Sequence, residues 1–260
     1  MPKITNHKLI NLSPTWADFR GFSLLFDNPN PAINLLNIEN NLQKIDCSES
    51  DTSIQFYQIL YKVMDTIGLG NSANSYLFCP LPISSYHVTY LDGINDVNKK
   101  ALNPLDRIDF NTFLKDLPIS LTTDTRFTYF QKSRLSKKLQ KPIHFEFDTL
   151  SNWGNKVLAA QLKPRAESMD IYQALIENRR KNFKEFLCKS GFSEPPKLKD
   201  YTPHISLGYF ANKDDGALSL ERIEGWTNLC RKAIEDKTIS FNSFSLYGFT
   251  DMTTFIKPSH

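Results

Sequence analysis

The chain has 260 residues, 40% of them hydrophobic and 23% charged, with glycine and proline together under a tenth. That is globular composition, which excludes collagen-like, coiled-coil and disordered chains. No apolar run approaches the roughly 20 residues of a membrane span, so no spanning helix is expected. The net charge of +3 is mildly basic and suits an anionic small substrate or RNA without requiring either.

Cys47, Cys79, Cys188 and Cys230 are far apart and form no C-x-x-C. With a full core available, free buried thiols are expected. The N-terminal stretch MPKITNHKLINL has no apolar h-region and no small-residue cleavage site, so the expectation is a cytoplasmic protein.

In chain order, residues 21–26 read as a buried strand. Asn30-Pro31 reads as a helix start, with Ile33, Leu36, Leu42 and Ile45 as a loose apolar face. A better helix follows Asp51, where Phe56, Leu60, Val63, Met64 and Ile67 recur at helical spacing and Gly68 ends it. Residues 75–80 and 85–91 read as strands. The second alternates, with Tyr86, Val88 and Tyr90 opposite His87 and Thr89.

Residues 92–141 read as loop, with a short helix near 110–114. A hairpin is predicted from 142–149 and 156–162 across a turn containing Gly154. Asp170 caps a helix with Ile171, Leu175, Phe183, Phe186 and Leu187 on its apolar face, stopped by Gly191. A strand at 203–210 and a helix opened by Ser219 follow, the helix carrying Ile223, Trp226, Cys230 and Ile234. Strands at 238–249 and 253–256 end the chain. The order implies one α+β domain with mainly antiparallel sheets.

Two of the five histidines are followed two residues later by a hydroxyl, as His87-Val-Thr89 and His204-Ile-Ser206. Positions i and i+2 of a strand share a face, so each imidazole has a hydroxyl beside it. Both motifs follow a glycine-ended amphipathic helix and an irregular stretch. They form a weak internal repeat about 117 residues apart, which would place the motifs across a shared cleft.

This pair resembles the signature of the 2H phosphoesterase superfamily, H-x-(T/S)-x given twice with x usually apolar. The run LPISSYHVTYLDGIND is similar to a less-studied branch of that superfamily, a domain of unknown function. The second motif, Tyr201-Thr-Pro-His-Ile-Ser-Leu-Gly-Tyr209, has the form P-H-I-(S/T)-L common there. Ser206 stands where Thr is commoner.

The resemblance covers roughly residues 50–258 and implies a bilobal α+β fold, two mainly antiparallel sheets flanked by helices around a central cleft. Residues 1–50 are then an N-terminal extension packed on a 2H-like domain at 51–260. The implied activity is metal- and cofactor-independent hydrolysis of a 2′,3′-cyclic phosphate, a related cyclic nucleotide or a 2′–5′ linked oligonucleotide. His87 and His204 would be the acid–base pair, and Thr89 and Ser206 would hold the phosphoryl oxygens. Tyr201 is a candidate for the cleft rim and Arg165 for a substrate contact.

Other features have blander readings. Residues 68–73, GLGNSA, follow a helix, so they read as a helix end rather than a dinucleotide fingerprint. His144, Glu146 and Asp148 alternate opposite Ile143, Phe145 and Phe147. A solvent face explains them, with a metal site as the rival. The segment 126–141 mixes basic and aromatic residues and is a candidate RNA contact, and Arg179-Arg180-Lys181 is expected on an exposed helix face. An RNA- or nucleotide-binding module without turnover is the alternative function.

Overall fold

The structure is a computed structural model, and it describes residues 3–12, 16–29, 32–37, 42–46, 52–71, 74–125, 137–189 and 201–258. The strands are β1 (Gly21–Phe26), β2 (Ala32–Asn37), β3 (Leu42–Asp46), β4 (Phe78–Pro80), β5 (Thr89–Asn95), β6 (Lys137–Trp153), β7 (Val157–Pro164), β8 (His204–Phe210), β9 (Thr238–Phe249) and β10 (Phe255–Pro258). The helices are α1 (Gln55–Thr66), α2 (Pro104–Lys115), α3 (Ser120–Thr123), α4 (Met169–Lys189), α5 (Lys213–Leu218) and α6 (Ile223–Ile234). None among the described residues is long and apolar enough to cross a membrane.

Every strand pair is antiparallel, but the two expected sheets are joined into one network of ten strands. The path runs β2-β3-β10-β9-β6-β7-β8-β4, and β1 pairs both β9 and β5. The joint is β9. Its first residues pair β6, with Ile239 opposite Phe145, and its later ones pair β1, from Phe244 opposite Phe26 to Phe249 opposite Gly21. One half of the molecule thus carries β5 and the other β8. Phe26, Phe145 and Phe241 are fully buried at the seam, with the Phe26 and Phe241 rings 5.0 Å apart. Each such ring contributes roughly 2–3 kcal/mol by leaving water.

The helix expected from Asn30-Pro31 is not formed. Residues 32–37 and 42–46 are β2 and β3, and β3 pairs β10, with Lys44 opposite Ile256. A partner some 200 residues away supplies the backbone hydrogen bonds, and such non-local pairing overrides weak local spacing. Asn30 and Pro31 themselves lie outside the described residues. The same Asn-Pro signal succeeds at Asn103-Pro104: the Asn103 side chain accepts from the Asp106 N–H at 2.9 Å and starts α2, within a region read mostly as loop.

The other boundaries shift modestly. Residues 83–85 form a single 3₁₀ turn, so β5 begins at Thr89. Gly68 ends α1 at φ 77°. Gly154 and Asn155, in the three residues between β6 and β7, turn the hairpin with φ of 59° and 57°, left-handed values that Gly and Asn adopt most readily. Gly191 and residues 126–136 lie outside the described residues. Cys79 and Cys230 are free and buried, as expected, and burial pushes their thiols up to about 11 and about 12.

Candidate active site

In the first motif Tyr86, Val88 and Tyr90 are fully buried, which leaves His87 and Thr89 half-buried on the opposite face. In the second, Ile205 and Leu207 are fully buried, and His204 and Ser206 are half-buried on the other face of β8. The alternation read from sequence is therefore the alternation that aims the four side chains.

The two motifs repeat in geometry as well as in sequence. His87 Nδ1 lies 2.8 Å from the Ser85 carbonyl, and His204 Nδ1 lies 2.9 Å from the Thr202 carbonyl. A carbonyl only accepts, so in each ring Nδ1 carries the proton and donates it to the residue two positions back. Each imidazole also rests on an aromatic ring. Phe255 is 4.2 Å from His87 and Trp153 is 4.3 Å from His204, measured between ring centres. Neither Nε2, nor the hydroxyl of Thr89 or Ser206, makes a hydrogen bond among the described residues.

All four side chains line one cavity of about 440 Å³. A second compartment of about 510 Å³ shares Thr89, His204 and Ser206 with it and adds Trp153, Gln161 and Tyr201. Together they form one cleft past both motifs.

Electrostatics separate the two rings. Burial pushes His87 down to about 4; the Ser85 hydrogen bond opposes this, and the positive charges of His204 and Lys8 add to it. Burial also lowers His204 from 6.5, against the Thr202 hydrogen bond and the negative charge of Asp92. Asp92 lines both compartments.

Of the remaining candidates, Tyr201 lies in the second compartment, with the Arg179 guanidinium 4.9 Å from its ring centre. Its hydroxyl is buried without a hydrogen-bond partner among the described residues, and that burial pushes its pKa up. Arg165 lines neither compartment and pairs instead with Glu146 at 3.4 Å and Glu167 at 3.9 Å. Glu146 also pairs with Lys163, and His144 Nδ1 meets Ser240 Oγ at 2.6 Å. Among the described residues no cluster of three His, Cys, Asp or Glu has the arrangement of a metal site.

Three cleft residues were missed by the sequence reading. Arg179 is 8% exposed rather than on the solvent face of α4. Its Nε donates to the Tyr90 carbonyl at 2.9 Å while the Tyr90 hydroxyl donates to the Leu175 carbonyl at 2.9 Å, so this face of α4 is clipped to β5. Its i,i+4 spacing from apolar Leu175 was the available signal. His7 and Lys8 come from the N-terminal segment, where no local pattern marks them.

No protein-family model matches the chain, and no curated protein matches it. Solved structures that are similar include two of note. A conserved protein of unknown function from Agrobacterium tumefaciens strain C58 has 16% identity and a TM-score of 0.57 over 99% of this chain and 93% of that one. Usb1 of Kluyveromyces marxianus has 11% identity and a TM-score of 0.39 over 93% of this chain and 98% of that one. The first likeness is one of fold, and the second is too low to bear on activity.

Proposed function

We propose that this chain is a 2H-type phosphoesterase that opens a cyclic phosphodiester by two-histidine acid–base catalysis, without a metal. The substrate class is a 2′,3′-cyclic phosphate, a related cyclic nucleotide or a 2′–5′ linked oligonucleotide. The observation that carries this reading is the duplicated arrangement in one cleft: two imidazoles anchored through Nδ1, each with a hydroxyl two residues on.

With Nδ1 protonated, Nε2 is the working atom of each ring. His87, pushed down to about 4, is neutral near pH 7 and suits the base. His204, with Asp92 favouring its charged form, suits the acid. His87 Nε2 takes a proton from water as the water oxygen bonds to phosphorus. The P–O bond to the sugar breaks, and His204 Nε2 gives its proton to the departing oxygen. One water is consumed and a phosphomonoester results. Thr89 and Ser206 donate to the non-bridging oxygens and hold the phosphorus in line.

The test is a panel of 2′,3′-cyclic nucleotides and short RNAs, assayed with the native protein and with His87→Ala. Hydrolysis by the native protein that collapses in the variant supports the reading. Binding that survives loss of both histidines, with no hydrolysis by the native protein, would instead make the chain a binding module.

A further inference from the structure

The N-terminal segment packs against the end of β8 and the start of β7, and Asn6 fixes it there. Its side chain, 3% exposed, donates through Nδ2 to the carbonyls of Lys156 at 3.1 Å and Phe210 at 2.9 Å, and its Oδ1 accepts from the Lys8 N–H at 3.2 Å. The backbone N–H groups of Thr5 and Asn6 both donate to the Ala211 carbonyl at 2.9 Å. Leu9, next in line, is buried in the core.

This anchorage hands the side chain of Lys8 to the cleft. Its Nζ donates to the Tyr209 hydroxyl at 3.1 Å and lies 4.6 Å and 4.7 Å from the ring centres of Phe19 and Tyr209. Lys8 lines both compartments, alongside Thr89, His204 and Ser206. Among the described residues it forms no ion pair with a carboxylate. A half-buried ammonium held by one neutral hydroxyl and two ring faces, with no carboxylate paired to it, keeps an unmet preference for negative charge that an anion in the cleft supplies.

We propose that Lys8 is an anion-binding residue of this cleft, contacting a phosphoryl oxygen of the bound ester, and that Asn6 is its positioning residue. The proposal rests on the phosphoesterase reading and adds a fixed positive charge that neither motif supplies. Thr89 and Ser206 offer only neutral donors, whereas the phosphoryl group is anionic when it binds and gains negative charge as the water oxygen adds. A charged donor answers that charge more strongly than a hydroxyl. Lys8 is also near enough for its charge to disfavour protonation of both motif histidines.

The experiment uses the full chain as Lys8→Met, Lys8→Arg, Asn6→Ala and the Asn6→Ala/Lys8→Met double variant. Calorimetric titration with inorganic phosphate reads binding, and a 2′,3′-cyclic nucleotide reads KM and kcat. Lys8→Met should weaken phosphate binding and raise KM about 10–100-fold, the worth of one charge-assisted contact. Lys8→Arg should keep most of both. Asn6→Ala should raise KM in the same direction, and the double variant should be no worse than Lys8→Met.

Unchanged phosphate binding and KM in Lys8→Met overturn the assignment of Lys8. An unchanged KM in Asn6→Ala, beside an impaired Lys8→Met, overturns the positioning role. A native protein that binds phosphate through Lys8 yet hydrolyses no cyclic phosphate sinks the phosphoesterase reading while upholding the anion site. Lys8→Met leaves the Asn6 anchor intact, so it decides the matter even where Asn6→Ala unfolds.

Discussion

His87 and His204 share a sequence motif, an Nδ1 anchor and an aromatic support, and they differ in the charges around them. On the proposed mechanism removing either removes a proton-transfer group, so His87→Ala and His204→Ala should each lower turnover about 10²–10⁴-fold. Thr89→Ala and Ser206→Ala remove one neutral donor each and should cost roughly 10–10²-fold. The double histidine variant should be little worse than either single one, because the pair acts in one step. Turnover measured on all five variants checks the ranking, and hydroxyl losses exceeding histidine losses would reverse the roles. With His87 at about 4 as the proposed base and His204, lowered from 6.5, as the proposed acid, the optimum of kcat/KM should lie below pH 6.5. Activity should fall toward low pH as His87 gains a proton, and toward high pH as His204 loses one. Asp92→Asn removes a charge that favours protonated His204, so it should move the alkaline limb to lower pH. A pH–rate profile of the two proteins reads this directly.

At the scale of elements, the strand ends carry the most exposed risk. Asp27, just after β1, accepts hydrogen bonds from Ser243 at 2.6 Å, Ser245 at 2.8 Å and Tyr247 at 2.7 Å on β9, and from Lys257 on β10 at 2.8 Å. Burial works against its charge, but Lys257 and the hydroxyls outweigh burial and hold its pKa below 3.8. A carboxyl whose folded pKa is depressed stabilises fully above its unfolded value and loses that contribution as pH falls below it. Asp27→Asn leaves Lys257, 16% exposed, without its counter-charge and should cost about 3–5 kcal/mol near neutral pH. Urea unfolding should show that gap narrowing below about pH 3.8, and a gap independent of pH would refute the ion pair's part in it. Gly208 is a second such point. A Cβ there would lie 2.5 Å from the Cys79 carbonyl oxygen and 2.4 Å from the Phe78 ring, so Gly208→Ala should push β4 off β8 and cost about 1–3 kcal/mol in the same assay.

For the whole molecule, one cleft between the β5 and β8 halves holds both motif histidines, and on the proposed mechanism catalysis should persist in excess chelator. Activity lost to chelator and restored by added divalent metal would reject the two-histidine mechanism. How much of this was legible follows the range of the forces involved. Alternation around His87 and His204 is a property of a few consecutive residues, and the pleat turns it directly into a buried face and a cleft face. The helix at 55–66, the Gly154 turn and the strands at 204–210 and 238–249 were likewise written locally, in periodicity and turn chemistry. Residues 32–37 and 42–46 became strands because a distant β10 edge needed partners, and Arg179 turned inward because Tyr90 stood opposite it. Arg165 left the cleft because Glu146 on the neighbouring strand offered a counter-charge. Lys8 entered it because Asn6 found two carbonyls more than 100 residues away. The sequence by itself determined the strand faces and the four motif side chains on them, since local sterics and burial suffice for that. Only the tertiary structure decided which charges join them, since an ion pair or anchor is fixed by proximity in space, which chain order does not encode.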